Sequence, residues 1–174
     1  MTTQETIAQA IRNTQPLIVR SLEGFNEDNR TAQPPGLPNH AAWTLGHLAL
    51  TMHRAAEKAD PSPLPDADFV TGDGSDGDSR RFDTESVCFA STPLDDPARY
   101  PSLARCVEIF DAALNRLADA ARNAPDQSLA RPVQWGPAEI PVADLFTRMI
   151  FHNGAHGGQI LDLRRALGFE PLIR

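Results

Sequence analysis

The residues best suited to chemistry in this chain are His152 and His156, in the run Phe151-His152-Asn153-Gly154-Ala155-His156-Gly157-Gly158-Gln159. Histidines four apart on a helix share one face, one turn apart, so both imidazoles can reach the same ion. Neutral imidazole is the commonest side-chain ligand of transition metals. Three glycines in the same run each cost up to ~1 kcal/mol relative to alanine inside a helix. That composition points to close helix approach, or to room for something beside the backbone.

Two imidazoles hold an ion weakly, so a third ligand is expected. The chain has 5 histidines. His47 lies near the middle of its own helix, as the pair does, and can meet them at one depth whichever way the helices run. His40 shares the face of His47 but sits about 10 Å away along the axis, given a ~1.5 Å rise per residue. His53 is turned roughly 120° around the helix. The spacing also fits hydrogen-bonded core histidines and leaves both readings open. HExxH metalloprotease chemistry is excluded, because Asn153 stands where the general-base glutamate must be. A di-iron carboxylate bundle needs Glu-x-x-His pairs on two helices, and none is present.

These histidines need helices to carry them, and four segments have helical periodicity. Residues 3–23 place Ile7, Ile11, Leu17, Ile18 and Leu22 on an imperfect stripe. Pro34, Pro35 and Pro38 then break the chain. The spacing predicts a second helix over 39–59, capped by Asn39 and striped by Leu45, Leu48, Met52 and Ala55. The third, 101–123, repeats Leu103, Val107, Phe110, Leu114 and Leu117 at three- and four-residue steps. The fourth, 141–167, opens on Pro141 and ends at Gly168. No segment reads as an assured strand; a short pairing within 133–140 is compatible with the sequence.

Residues 60–98 are too long and too rich in proline for a simple turn, and read as a lid or a crossover. The Asp/Gly run at 71–78 lacks the ligand spacing, central glycine and terminal glutamate of an EF-hand, so a solvated loop is expected there rather than calcium binding. Four amphipathic helices with one long connection give an all-α fold, a four-helix bundle running up-down-down-up, with the crossover between the second and third helices. The 174 residues form one domain, 1–174.

A net charge of -7 with no clustered basic surface argues against nucleic acid as a partner. No apolar run approaches the ~20 residues that span a bilayer, and the N-terminus lacks a basic region followed by an apolar one. Neither a membrane nor a secretory route is expected; the expected location is cytoplasmic. Cys88 and Cys106 stand at no metal-ligand spacing and read as free thiols.

The segment Trp43-Thr44-Leu45-Gly46-His47-Leu48, followed by His152-x-x-x-His156-x-Gly158-Gln159-Ile160 and then Leu163-Arg164-x-x-Leu167-Gly168, resembles the DinB/YfiT-like superfamily over about residues 5–170. The C-terminal motif is the specific part. The resemblance implies a four-helix bundle with up-down-down-up topology and a triad of His47, His152 and His156 around a divalent ion. It also implies a homodimer, and an enzyme class in which the metal activates a low-molecular-weight thiol for transfer or isomerisation of a small-molecule substrate. Zinc is the expected ion, with nickel, iron and manganese as alternatives that histidine ligands also accept.

Three neutral imidazoles leave a position open for water or substrate, as catalytic sites do. No serine triad or general base is visible beside them, so a catalytic residue is not assigned and a non-catalytic stress-response module with a vestigial site is the alternative. Gln159 could orient a ligand or contact substrate, Arg54 could meet an acidic substrate, and Trp43 could wall the pocket. Each also has a plain reading, as helix packing, a solvated surface arginine and a core tryptophan.

Overall fold

A computed structural model describes residues 1–72 and 79–172 of the chain. It is mostly helical, with two short strand pairs among the described residues. Helix α1 (Thr3–Arg12) begins with a capping box, in which Thr2 accepts from the Glu5 amide and Glu5 answers the Thr2 amide. The expected single helix over 3–23 is broken: α2 (Gln15–Ser21) is a separate element. Pro16 has no N–H for the preceding turn but suits a new first turn, so the chain restarts there.

Helix α3 (Ala41–Ala56) is capped by His40 rather than by the expected Asn39: the His40 ring Nδ1 accepts from the Trp43 amide at 3.1 Å. Its Nε2 donates to the Leu94 carbonyl at 3.3 Å, and the ring packs edge-on against Tyr100 with centroids 4.7 Å apart. One side chain thus ties the start of α3 to the end of the crossover.

The crossover, expected as a lid or loop, carries elements of its own. Strand β1 (Phe69–Val70) pairs in parallel with β2 (Phe82–Asp83), and α4 (Thr84–Val87) follows at once, capped by Asp83. Two-residue strands have no period to read, which is why the sequence hides them. Residues 73–78, most of the run judged unfit for calcium, lie outside the described residues.

Helix α5 (Leu103–Asn123) starts on a Ser102 cap and leads into α6 (Asp126–Ala130). Strands β3 (Pro132–Trp135) and β4 (Ala138–Pro141) form an antiparallel hairpin around Gly136, at φ +58°, which agrees with the short pairing expected at 133–140. Helix α7 (Val142–Ala166) ends in Leu167 and Gly168, the latter at φ +75°, where glycine serves as a C-terminal cap.

Helix directions follow from side-chain pairs. Gln4, Arg12 and Gln15 meet Asp126, Asp119 and Asp111, so α1–α2 run antiparallel to α5. His40 meets Tyr100 and His53 meets Arg116, so α3 runs parallel to α5. Asn39 meets Gln159, and Met52 meets Asn153, so α3 runs antiparallel to α7. The core between them buries Ile7 and Ile11, Leu45, Leu48 and Met52, Phe110, Leu114 and Leu117, and Leu145, Phe146 and Met149. Helix α3 is the most enclosed; of its 16 residues only Thr51 and Arg54 escape burial.

The glycines of α7 do not mediate close helix approach. A Cβ on Gly157 would meet Ile18 at 3.6 Å, an ordinary contact, and one on Gly154 or Gly158 would meet nothing within 4 Å. Cys88 and Cys106 are both free thiols. Among the described residues no helix is long and apolar enough to cross a membrane.

Candidate metal centre

The antiparallel packing of α3 on α7 sets the centre of one helix against the centre of the other. His47, His152 and His156 converge there, each offering a ring nitrogen, with these nitrogens within 4.8 Å of one another. The ring centroids lie 5.2 Å apart for His47 and His152, 5.0 Å for His47 and His156, and 4.6 Å for His152 and His156. His47 is buried, while the other two are half-buried and face the open side.

His47 is held from two directions. Trp43, one turn earlier on α3, stacks on its ring at 4.7 Å with planes 9° apart. Trp43 is itself fixed by its indole N–H, which donates to Ser91 Oγ at 3.0 Å. The His47 Nδ1 donates to the backbone carbonyl of Val87, at the end of α4, at 2.9 Å. That bond puts the proton on Nδ1 and leaves the Nε2 lone pair free, the outer-shell arrangement usual for a ligating histidine. Gly46 makes it possible. A Cβ there would fall 2.6 Å from the Phe82 ring and 2.9 Å from Val87, so only glycine lets α4 come close enough to present its carbonyl.

Burial keeps the three rings neutral. Desolvation, with the neighbouring histidines adding to it, lowers His152 to about 3. Desolvation and His47 lower His156 to about 4, offset in part by the Gln159 amide. His47 is lowered by burial and by the charge of Arg54, partly offset by the Val87 carbonyl. Among the described residues no carboxylate contributes at any of the three.

The donor set fits a divalent ion. His47 Nε2 and His152 Nε2 stand 3.3 Å apart. That is close to the separation of two nitrogens each about 2.0–2.1 Å from one tetrahedral zinc. Nδ1 of both His152 and His156 is buried without a hydrogen-bond partner. Such atoms cost about 1–3 kcal/mol each; an ion bound through Nδ1 of His156 would remove that cost there, whereas His152, whose Nε2 faces His47, would keep its Nδ1 unpaired. The three histidines could therefore hold a metal ion.

The other singled-out residues separate clearly. His40 caps α3 and His53 accepts from Arg116 at 3.0 Å, so neither joins the cluster. Trp43 forms a wall of the site and is also a core residue, 4% exposed. Gln159 is exposed and receives the Asn39 amide at 3.3 Å, beside His156. Arg54 is exposed on the stripe that continues from His47. Sequence reasoning missed Val87, because it acts through a backbone carbonyl, which any residue type supplies.

His40 and His53 also set an acid limit. Burial lowers both to about 4, below the ordinary ~6.5 of an unfolded histidine. The unfolded state then binds more protons as pH falls. Stability is expected to be level above about pH 6.5 and to drop by about 1.4 kcal/mol per pH unit per histidine down to about pH 4. Urea unfolding of metal-free protein from pH 7 to 4.5 measures this. His40→Asn keeps a capping acceptor and should remove one histidine's share of the slope; an unchanged slope would contradict the assignment.

The DinB superfamily profile matches residues 10–160, and the chain belongs to that superfamily. A solved structure described as a conserved protein from Enterococcus faecalis superposes with a TM-score of 0.71 at 14% identity, covering 97% of this chain and 99% of the other. At that identity the likeness speaks for the fold alone. No curated protein matches the sequence.

Proposed function

We propose that this protein is a cytoplasmic, divalent-metal-dependent enzyme that activates a small thiol or a water for attack on a small-molecule electrophile. The observation that carries the reading is the convergence of three neutral imidazoles from α3 and α7, one of them oriented by the Val87 carbonyl. We read its scaffold as a four-helix bundle, up-down-down-up, made by α1–α2, α3, α5 and α7, and its assembly as a homodimer, which light scattering on purified protein tests. His47, His152 and His156 are the metal ligands in this reading, and zinc is the ion.

A divalent ion held by three neutral ligands keeps its full charge and lowers the pKa of a thiol or water bound to it. The chain's own part is positional. Val87 and Trp43 fix the His47 ring, and the half-buried faces of His152 and His156 leave the open side to substrate. The buried wall of α3 excludes water from the other side.

The test is turnover of a low-molecular-weight thiol with 1-chloro-2,4-dinitrobenzene, comparing zinc-loaded protein, chelated protein and His152→Ala. Turnover only in the loaded wild type supports the enzyme. That no carboxylate among the described residues acts on the triad favours a second reading, a non-catalytic metal-binding stress-response module. Stoichiometric metal with no turnover for any thiol would select it.

A further inference from the structure

Helix α3 is buried on nearly every side, and the two residues that escape, Thr51 and Arg54, follow His47 at steps of four and seven. Steps of four and seven keep residues on one helical face. The enclosed helix therefore opens to solvent along a single stripe that starts at the histidine cluster and ends at Arg54.

Helix α7 repeats the arrangement in reverse. His152 and His156 are half-buried, and Arg148, one turn before His152, is exposed. The pairs Asn39–Gln159 and Met52–Asn153, together with Arg131, which donates to the Lys58 carbonyl and accepts from the Val142 amide at the start of α7, run the two helices past each other in opposite directions. Moving from His47 toward Arg54 on α3 is thus moving from His152 toward Arg148 on α7. Both arginines lie at the same end of the site.

Six arginines of this acidic chain, Arg12, Arg30, Arg99, Arg105, Arg116 and Arg165, form ion pairs, and Arg20, Arg131 and Arg164 donate to backbone carbonyls. Among the described residues Arg54 and Arg148, like the exposed Arg122 near the end of α5, make no ion pair or hydrogen bond. Acidic residues outnumber basic ones, 23 to 16, yet none of the described ones pairs with Arg54 or Arg148. Guanidinium is the side chain suited to planar, two-oxygen recognition of carboxylate.

We infer that Arg54 and Arg148 bind an anionic group, a carboxylate, on the molecule that reaches the histidine triad, so that the substrate class is a carboxylate-bearing thiol or electrophile. This rests on the reading of the triad as a metal site. The arginines fix the acid end of the substrate and thereby aim its reactive end at the triad. They are positioning residues.

The probes are mercaptosuccinate, 2-mercaptoethanol and succinate, with wild type, Arg54→Gln, Arg148→Gln and the double variant. Thiol binding is read from the thiolate absorption of cobalt-loaded protein. Wild type is expected to prefer mercaptosuccinate over 2-mercaptoethanol by at least about tenfold, as charged hydrogen bonds imply. The double variant should lose that preference while its affinity for 2-mercaptoethanol changes less than about twofold. A preference kept in the double variant, or absent from wild type, overturns the inference. If neither thiol gives a band in wild type, the metal reading has failed separately. Calorimetric titration of metal-free protein with succinate then decides: binding lost in the double variant supports the anion site, and no binding to wild type overturns it.

Discussion

Saturating zinc is expected to raise the thermal midpoint of metal-free protein by roughly 8–16 °C, and to raise that of His152→Ala by none of it. The size follows from linkage: a ligand at about a thousand times its dissociation constant stabilises the folded state by ~4 kcal/mol, worth roughly 2–4 °C per kcal/mol in a domain this large. The ligands come from α3 and α7, which are distant in sequence, so an unfolded chain does not hold them together and the whole binding energy appears as stability. Calorimetry with and without chelator measures the shift. A similar rise in His152→Ala would place the ion elsewhere.

Gly46→Ala is expected to destabilise the protein by at least about 2 kcal/mol and to weaken zinc binding by about 10–100-fold. Alanine in a helix interior normally gains up to ~1 kcal/mol over glycine. Here that gain is outweighed, because the added Cβ would lie 2.6 Å from the ring of Phe82, itself fully buried, and 2.9 Å from Val87. Something must shift, and the segment that shifts carries the carbonyl that orients His47 at 2.9 Å. Phe82→Leu in the same chain should restore part of both losses, as contacting residues couple. Urea unfolding and zinc competition titration read the two effects; a stabilised variant with wild-type affinity would refute the account of Gly46.

The two predictions differ in how far the sequence anticipates them. The triad is legible because side-chain chemistry and helical period both mark it: His152 and His156 sit four apart, and His47 lies at matching depth. The helices of 101–123 and 141–167 are legible for the same reason, and the observed Leu103–Asn123 and Val142–Ala166 differ by one or two residues at the ends. Pro16 breaks the first helix, but apolar positions resume at once with Leu17 and Ile18, so periodicity alone overlooks the break.

What supports the site is less visible. The β1–β2 pair and α4 are each a few residues long, and are held by packing against α3 rather than by local preference. The Val87 carbonyl has no sequence signature. The sequence sets His40 apart as too far from His47 to share its ion and gives it no other role, yet its ring replaces the expected Asn39 as cap, and its second nitrogen reaches Leu94 across the crossover. The unpaired state of Arg54 and Arg148 likewise depends on where every carboxylate falls in three dimensions.

The central claim is that His47, His152 and His156 hold one divalent ion. The most direct measurement is elemental analysis of protein purified without a histidine tag, wild type beside His47→Ala and His152→Ala. The account predicts about one equivalent of metal in wild type, lost from both variants while circular dichroism shows them folded. No bound metal in wild type after incubation with zinc or nickel, or an undiminished equivalent in both variants, would contradict it.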